Sequence, residues 1–165
     1  FLFNISIKEN IRMGNPCATD EEVLAAAKAA RCDEFIRKME YGYDTLVGDA
    51  GGKLSGGERQ RITIARAILK PADVVILDEA SAYADPENEV YIEEAINELV
   101  KDKTLIVVAH RLETIENSDK IVVVDQGKIV AEGTQSELLK NCALYKRLWN
   151  ETILTSEWKR GECNA

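Results

Sequence analysis

Val74-Val75-Ile76-Leu77 is a short, unbroken apolar run, the pattern of a strand buried on both faces of a sheet. A helical pattern follows from about Pro86 to Val100, with Val90, Ile92, Ile96 and Leu99 expected inward and Pro86 suited to its first turn. Strand patterns return at Thr104–Val108 and Ile121–Val124, with a short helix at Leu112–Asn117 between them. Buried strands alternating with helices specify an α/β fold with a mainly parallel core. Asp125-Gln126-Gly127-Lys128 then turns the chain into Ile129–Ala131 as a hairpin. A last helix is expected over about Ser136–Trp149, followed by a polar tail for which disorder is open.

The chain ahead of Val74 has a different character. Ser6–Ile11 reads as a short helix. Thr19-Asp20-Glu21-Glu22 is a start signal, Thr19 being the N-cap and Glu22 its capping-box partner. The Ala-rich helix that it opens covers Val23–Arg31, and another begins at Asp33 and runs to about Met39. Gly42–Lys53 holds four glycines among polar residues and reads as a loop. A long helix follows from about Gly56 to Leu69, with Ile62, Ala65, Ile68 and Leu69 as its apolar stripe and Pro71 as its stop. A helical lobe therefore comes first and the sheet second.

Composition narrows the function. With 45% hydrophobic and 30% charged residues the chain has the make-up of a soluble globular protein. Its 21 basic and 29 acidic residues give a net charge of −8, which argues against general nucleic-acid binding. The longest apolar run, Leu105–Ala109, is far short of the roughly 20 residues that span a bilayer. Cys17, Cys32, Cys142 and Cys163 form no C-x-x-C pair and lie far from His110, the only histidine, so free thiols are expected rather than disulfides or a zinc site.

Three segments carry chemistry. In Leu54-Ser55-Gly56-Gly57-Glu58-Arg59-Gln60-Arg61, Ser-Gly-Gly opens the long helix, and backbone N–H groups unobstructed by a Cβ, a hydroxyl and the positive helix end together suit a phosphate. A plain N-cap with glycines for a tight turn is the alternative. Asp78-Glu79 ends the first apolar strand, and adjacent strand residues face opposite ways, so the two acids can hold separate roles. Here the alternative is an N-cap and dipole partner for the next helix. His110 follows the second strand, where α/β sheets bind ligands, although a lone histidine is more often structural.

In combination these segments have a clear likeness. Leu54–Arg61 resembles the signature motif of ABC ATPases, Asp73–Glu79 a Walker B motif, and Val107–Leu112 the H-loop, all in family order. Ala80–Asp85 falls at the D-loop, where Asp85 matches the commoner Ala-Thr-Ser-Ala-Leu-Asp but Tyr83 and Ala84 depart from it. Phe1–Ile11 is similar to the stretch just after the Q-loop of exporter-type members. Thr45–Gly51 is similar to their X-loop, with Asp49 at its acidic position and Ala50 where Arg is usual. The likeness covers about residues 1 to 150.

The resemblance implies a partial P-loop NTPase fold. Residues 1–70 would be a helical subdomain with X-loop and signature helix, 71–150 the carboxy-terminal part of the ATPase core, and 151–165 a polar tail. It implies an ATPase at the cytoplasmic face of the cell membrane, using ATP and Mg²⁺ and coupled to transport. Glu79 and His110 would be catalytic and Asp78 would hold Mg²⁺ through water. Ser55, Gly56, Gly57, Gln60 and Asp85 would serve nucleotide binding. The implied partners are a second nucleotide-binding domain, paired head to tail, and a transmembrane domain, with no nucleic acid.

No segment reads Gly-x-x-x-x-Gly-Lys-Ser/Thr, the loop whose amides cradle phosphates. Gly51-Gly52-Lys53-Leu54 comes nearest, but Val47 stands at the first glycine position and Leu54 at the Mg²⁺-binding hydroxyl. That loop is expected upstream of Phe1, so these residues alone should be inactive, and an unfilled sheet position should drive dimerisation or exchange of elements. A non-hydrolysing interaction module on the same fold is the alternative. A DNA-associated ATPase is disfavoured by charge and by the X-loop likeness.

Overall fold

Ser6 opens the first helix, α1 (Ile7–Arg12), by accepting a hydrogen bond from the Glu9 amide on its Oγ at 3.2 Å. This is a computed structural model of the chain, which describes residues 1–78, 86–109 and 112–161, without the side chains of 86, 87, 89 and 154–161. Its described residues form two compact units, Phe1–Ile106 and Val107–Ala165.

In the first unit, α2 (Asp20–Ala29) starts at the expected capping box. The Glu22 amide donates to Thr19 Oγ1 at 3.3 Å, and the Thr19 amide to the Glu22 carboxylate at 2.7 Å. The next helix, α3 (Asp33–Ile36), is a single turn and stops short of Met39. The Lys38 and Met39 amides bond three residues back, to Phe35 and Ile36, so the chain tightens into turns there. The long helix α4 (Gly56–Leu69) has the expected bounds and ends at extended Lys70, before Pro71. Its inner face buries Ile62 and Ala65 against Ile7 and Ile11 of α1 and Val23 and Ala27 of α2. Ile68 and Leu69 of the expected stripe are only partly buried. Gly14 marks how close this crossing is, since a Cβ there would lie 2.1 Å from the Arg66 carbonyl oxygen.

A buried polar hub fastens the first residues to this core. Fully buried Asn10 accepts from the Phe3 amide and donates to the Phe3 and Ser6 carbonyls, each at 3.0 Å. Arg66 adds three bonds, donating to the Asn10 carbonyl at 2.8 Å, to Asn10 Oδ1 at 3.0 Å and to the Phe1 carbonyl at 3.0 Å.

Beyond α4, β1 (Val74–Asp78), α5 (Pro86–Leu99) and β2 (Thr104–Val108) form a strand–helix–strand succession in which the two strands are hydrogen-bonded neighbours. Helix α5 lies on α4 and buries Ile92, Ala95 and Leu99. Val90, expected inward, is 56% exposed, because the buried stripe of α5 falls on Ile92, Ala95 and Leu99 and leaves Val90 off that face. The strands also depart from the expectation of burial on both faces. Val75 packs against the core, but Ile76 is 66% exposed and all of β2 is exposed, so the described residues supply no layer to cover them.

In the second unit, Leu112–Ile115 is a 3₁₀ turn rather than the start of a six-residue helix. The hairpin pairs β3 (Ile121–Asp125) with β4 (Lys128–Gly133) in antiparallel register, Asp125 opposite Lys128. Gln126 and Gly127 both have positive φ, 46° and 75°, the twist of a type I′ turn. Alternation puts Ile121 and Val123 inward, against Leu138 of α6 (Gln135–Asn141) and Tyr145 of α7 (Ala143–Gly161). The single helix expected over Ser136–Trp149 is thus two. Cys142 is extended between them, and its thiol accepts from the Tyr145 amide at 3.5 Å, which caps α7. Helix α7 continues to Gly161, so most of the expected polar tail is helical.

Candidate functional site

Ser55 is the N-cap of α4, with the extended backbone that a cap needs (φ −64°, ψ 164°). Its Oγ accepts from the Glu58 amide at 3.2 Å, while the Glu58 carboxylate takes the Ser55 amide at 2.8 Å. That capping box leaves the hydroxyl proton available for donation outward. Ser55 and Gly56 are exposed, and the first helical amide has no partner inside the helix. Gly57 is buried, because the missing side chain faces Asn88 of α5, whose Cγ would lie 2.5 Å from an added Cβ. Gln60 lies one turn on. With Gly56, Arg59, Thr63, Ala50 and Phe1 it lines a hollow of about 400 Å³.

The loop before the signature is tied at both sides. Ser6 and Leu46 form an antiparallel bridge, and Asp49 accepts from Asn4 Nδ2 at 3.1 Å, joining the loop to the opening segment. Arg59 donates to the Leu54 carbonyl at 2.7 Å, joining it to α4. Ala50 is one of the non-glycine residues held at positive φ (50°), between Gly48 and Gly51, both at 76°.

The structure therefore gathers Ser55, Gly56, Gly57 and Gln60 on the first turns of one helix. Asp78 is the exposed last residue of β1. Glu79, Asp85 and His110 lie outside the described residues. Among the described residues no group of three His, Cys, Asp or Glu converges on a possible metal site. An exposed carboxylate at a strand end does fit a hard cation such as Mg²⁺, as a single oxygen ligand.

Two buried polar residues escaped the sequence reading. The Asn10–Arg66 hub joins residues 56 apart, which no local pattern signals. Arg61 carries the last guanidinium of the signature string and is only 6% exposed. Its burial had one visible hint, a position one residue before the apolar stripe of α4.

Comparison with known proteins places this geometry. The family described as ABC transporter matches residues 2–82. A Bacillus subtilis protein (strain 168), provisionally named a multidrug export ATP-binding/permease protein, is 52% identical over 149 residues, 90% of this chain and 26% of that protein. A Staphylococcus aureus protein (strain NCTC 8325) of the same provisional name is 50% identical over the same shares. Among solved structures, a bacterial Atm1-family ABC exporter with ATP bound superposes with a TM-score of 0.80 at 42% identity, over 91% of this chain and 26% of that one. The chain belongs to the ABC transporter family. It is part of an ATP-binding domain of exporter type, and its mixed helix-and-strand architecture is a partial ABC ATPase fold. It spans about a quarter of the length of the relatives it matches. Among the described residues, no helix is long and apolar enough to cross a membrane.

Proposed function

We propose that this chain supplies half of each of two ATP sites in a transport-coupled ATPase at the cytoplasmic face of a membrane. The observation that carries the reading is the exposed, capped start of α4. Ser55 and Gly56 are exposed, and they offer an arriving phosphate a hydroxyl and a backbone amide that carries no Cβ. In this reading Ser55, Gly56, Gly57 and Gln60 contact ATP held on the P-loop of a second, head-to-tail domain.

Asp78, Glu79 and His110 serve the other site, with a P-loop supplied outside residues 1–165. Asp78 would hold Mg²⁺ through water, and the ion would supply neutralisation of phosphate charge. Glu79 orients and polarises the attacking water. His110 donates a hydrogen bond to the γ-phosphate, and Asp85 meets the partner domain. Residues 1–70 act as the signature-bearing helical subdomain and 71–150 as the core that carries the acids.

Three measurements test this. Glu79→Gln in the full-length protein should abolish hydrolysis and leave ATP binding largely intact; retained turnover sinks the role of Glu79. Residues 1–165 alone should show neither ATPase activity nor micromolar binding of MgATP in calorimetry, and tight binding would contradict the division of sites. The exposed apolar strands should make the isolated chain self-associate, so a clean monomer in sedimentation counts against a shared sheet edge.

A further inference from the structure

Arg61, the sixth residue of α4, occupies a buried place that an arginine would normally avoid. Its guanidinium lies over two rings, with Cζ 5.0 Å from the centre of Phe35 on α3 and 5.1 Å from that of Tyr91 on α5. Nη1 donates to the Arg31 carbonyl at 3.3 Å, and buried Nε has no hydrogen-bond partner. A cation that is buried with so few hydrogen bonds is a poor device for stability, since an apolar side chain would fill the gap at less desolvation cost. What it offers instead is orientation. A planar guanidinium held over rings from two other helices fixes the rotation of the helix that carries it, which a flexible aliphatic chain cannot do.

Neighbouring contacts run along the same line. Asn88 fills the space left by Gly57, Tyr91 stacks on Arg61, and Glu94 pairs with Arg31 Nε at 2.8 Å. Asn88, Tyr91 and Glu94 recur every three residues, so they lie on one side of α5. That side is held against the signature end of α4 and the end of α2. Helix α5 is also the element that follows the acidic strand end at Asp78.

We propose that Arg61 is a positioning residue: held over the rings of Phe35 and Tyr91, it locks the first turns of α4 to α5, so that Ser55 and Gly57 move with the helix that follows the hydrolytic acids. This rests on the two-site reading above. One domain's acids and its signature belong to different ATP sites in that reading, and the Arg61 stack is then a mechanical link between them. The link acts when the sites close, after ATP has bound, so its loss should appear in turnover rather than in nucleotide affinity.

The test is steady-state MgATP hydrolysis by the full-length exporter carrying Tyr91→Leu, Tyr91→Phe, Arg61→Met or the double Arg61→Met/Tyr91→Leu. Melting curves confirm that each variant is folded at the assay temperature. Tyr91 is 37% exposed, so its variants should fold even if Arg61→Met does not. The expected result is a kcat lowered about fivefold or more by Tyr91→Leu and by Arg61→Met, with KM for ATP within about twofold, and with Tyr91→Phe like the parent. The double variant should lose no more than its worse single, because the two side chains act as one unit. The proposal is overturned if folded Tyr91→Leu keeps its kcat within about twofold, if the loss appears in KM alone, or if the two losses multiply. A parent exporter without any ATPase activity would instead overturn the two-site reading, and this proposal would fall with it.

Discussion

Replacing Asn10 by Ala should release the first residues of the chain from the core. The side chain has two strong roles. Its Oδ1 takes the Phe3 amide, and its Nδ2 satisfies the Phe3 carbonyl, both at 3.0 Å. Alanine leaves the Phe3 amide without a partner, at about 1 to 1.5 kcal/mol, and costs the Phe3 carbonyl one of its two hydrogen bonds, at about 0.5 kcal/mol, since the Ile5 amide still donates to it. It also removes the charge-assisted bond from Arg66 to Oδ1, worth about 1 kcal/mol here because Arg66 keeps its bonds to the Asn10 and Phe1 carbonyls. The Ser6 carbonyl is spared, since the Asn10 amide still donates to it. The total, about 3 kcal/mol, is a large share of the 5 to 15 kcal/mol typical of a domain. It corresponds to a fall of roughly 150-fold in protection of the α1 amides in native-state hydrogen exchange. Trp149 lies in the second unit, so its fluorescence is the wrong probe for this change. The Val123 amide, in that unit, is the internal control and should not move. A loss of protection below about fivefold in α1 would refute the claim that Asn10 holds the segment.

Three other outcomes are expected. Gly14→Ala should cost at least about 2 kcal/mol in denaturant unfolding, because its Cβ would sit 2.1 Å from the Arg66 carbonyl oxygen and α1 must move off α4. Under native conditions iodoacetamide should modify exposed Cys17 quickly and leave Cys32 untouched, since burial shields that thiol and pushes its pKa up to about 12; comparable rates by mass spectrometry would contradict the packing of α2 and α3. Stability should fall in acid: the Arg12 guanidinium, with Lys8, holds Asp20 below its ordinary 3.8, and the Thr134 amide holds Glu137 below 4.5. With folded pKa values depressed, the unfolded chain binds more protons, so this contribution is present above those values and is lost as pH falls through and below them. A melting temperature that rises on acidification from 4.5 to 3.8 would reverse that sign.

Local chemistry is what the sequence made legible. The capping box at Thr19, the start of α4 after Ser55 and the hairpin turn over Asp125–Lys128 are contained within a few residues, and they stand where the pattern puts them. The failures are of two kinds. Where a helix end depends on a tertiary target, periodicity misleads. The pattern over Ser136–Trp149 runs on, but burying Tyr145 against Ile121 and Val123 breaks it at Cys142. Where a polar side chain works across the fold, no window contains its partner. Asn10 and Arg66 lie 56 residues apart, and Arg61 reaches Phe35 and Tyr91 on two other helices. The site divides in the same way. The start of α4 at Ser55 was legible because its hydroxyl and backbone bond within one helical turn. The placing of that turn against α5, through Gly57 and Asn88, was not.

The claim that the signature and the acids of one chain serve different ATP sites can be tested by separating two lesions. In an exporter with two such domains linked in one polypeptide, Ser55→Arg and Glu79→Gln are placed either in the same domain or in opposite domains, and MgATP hydrolysis is measured. If the sites are shared between domains, opposite placement puts both lesions in one site and spares the other, so turnover persists. Same-domain placement then disables both sites and abolishes it. The reverse pattern, with activity in the same-domain variant and none in the opposite-domain variant, would mean that each domain completes its own site, and would contradict the account.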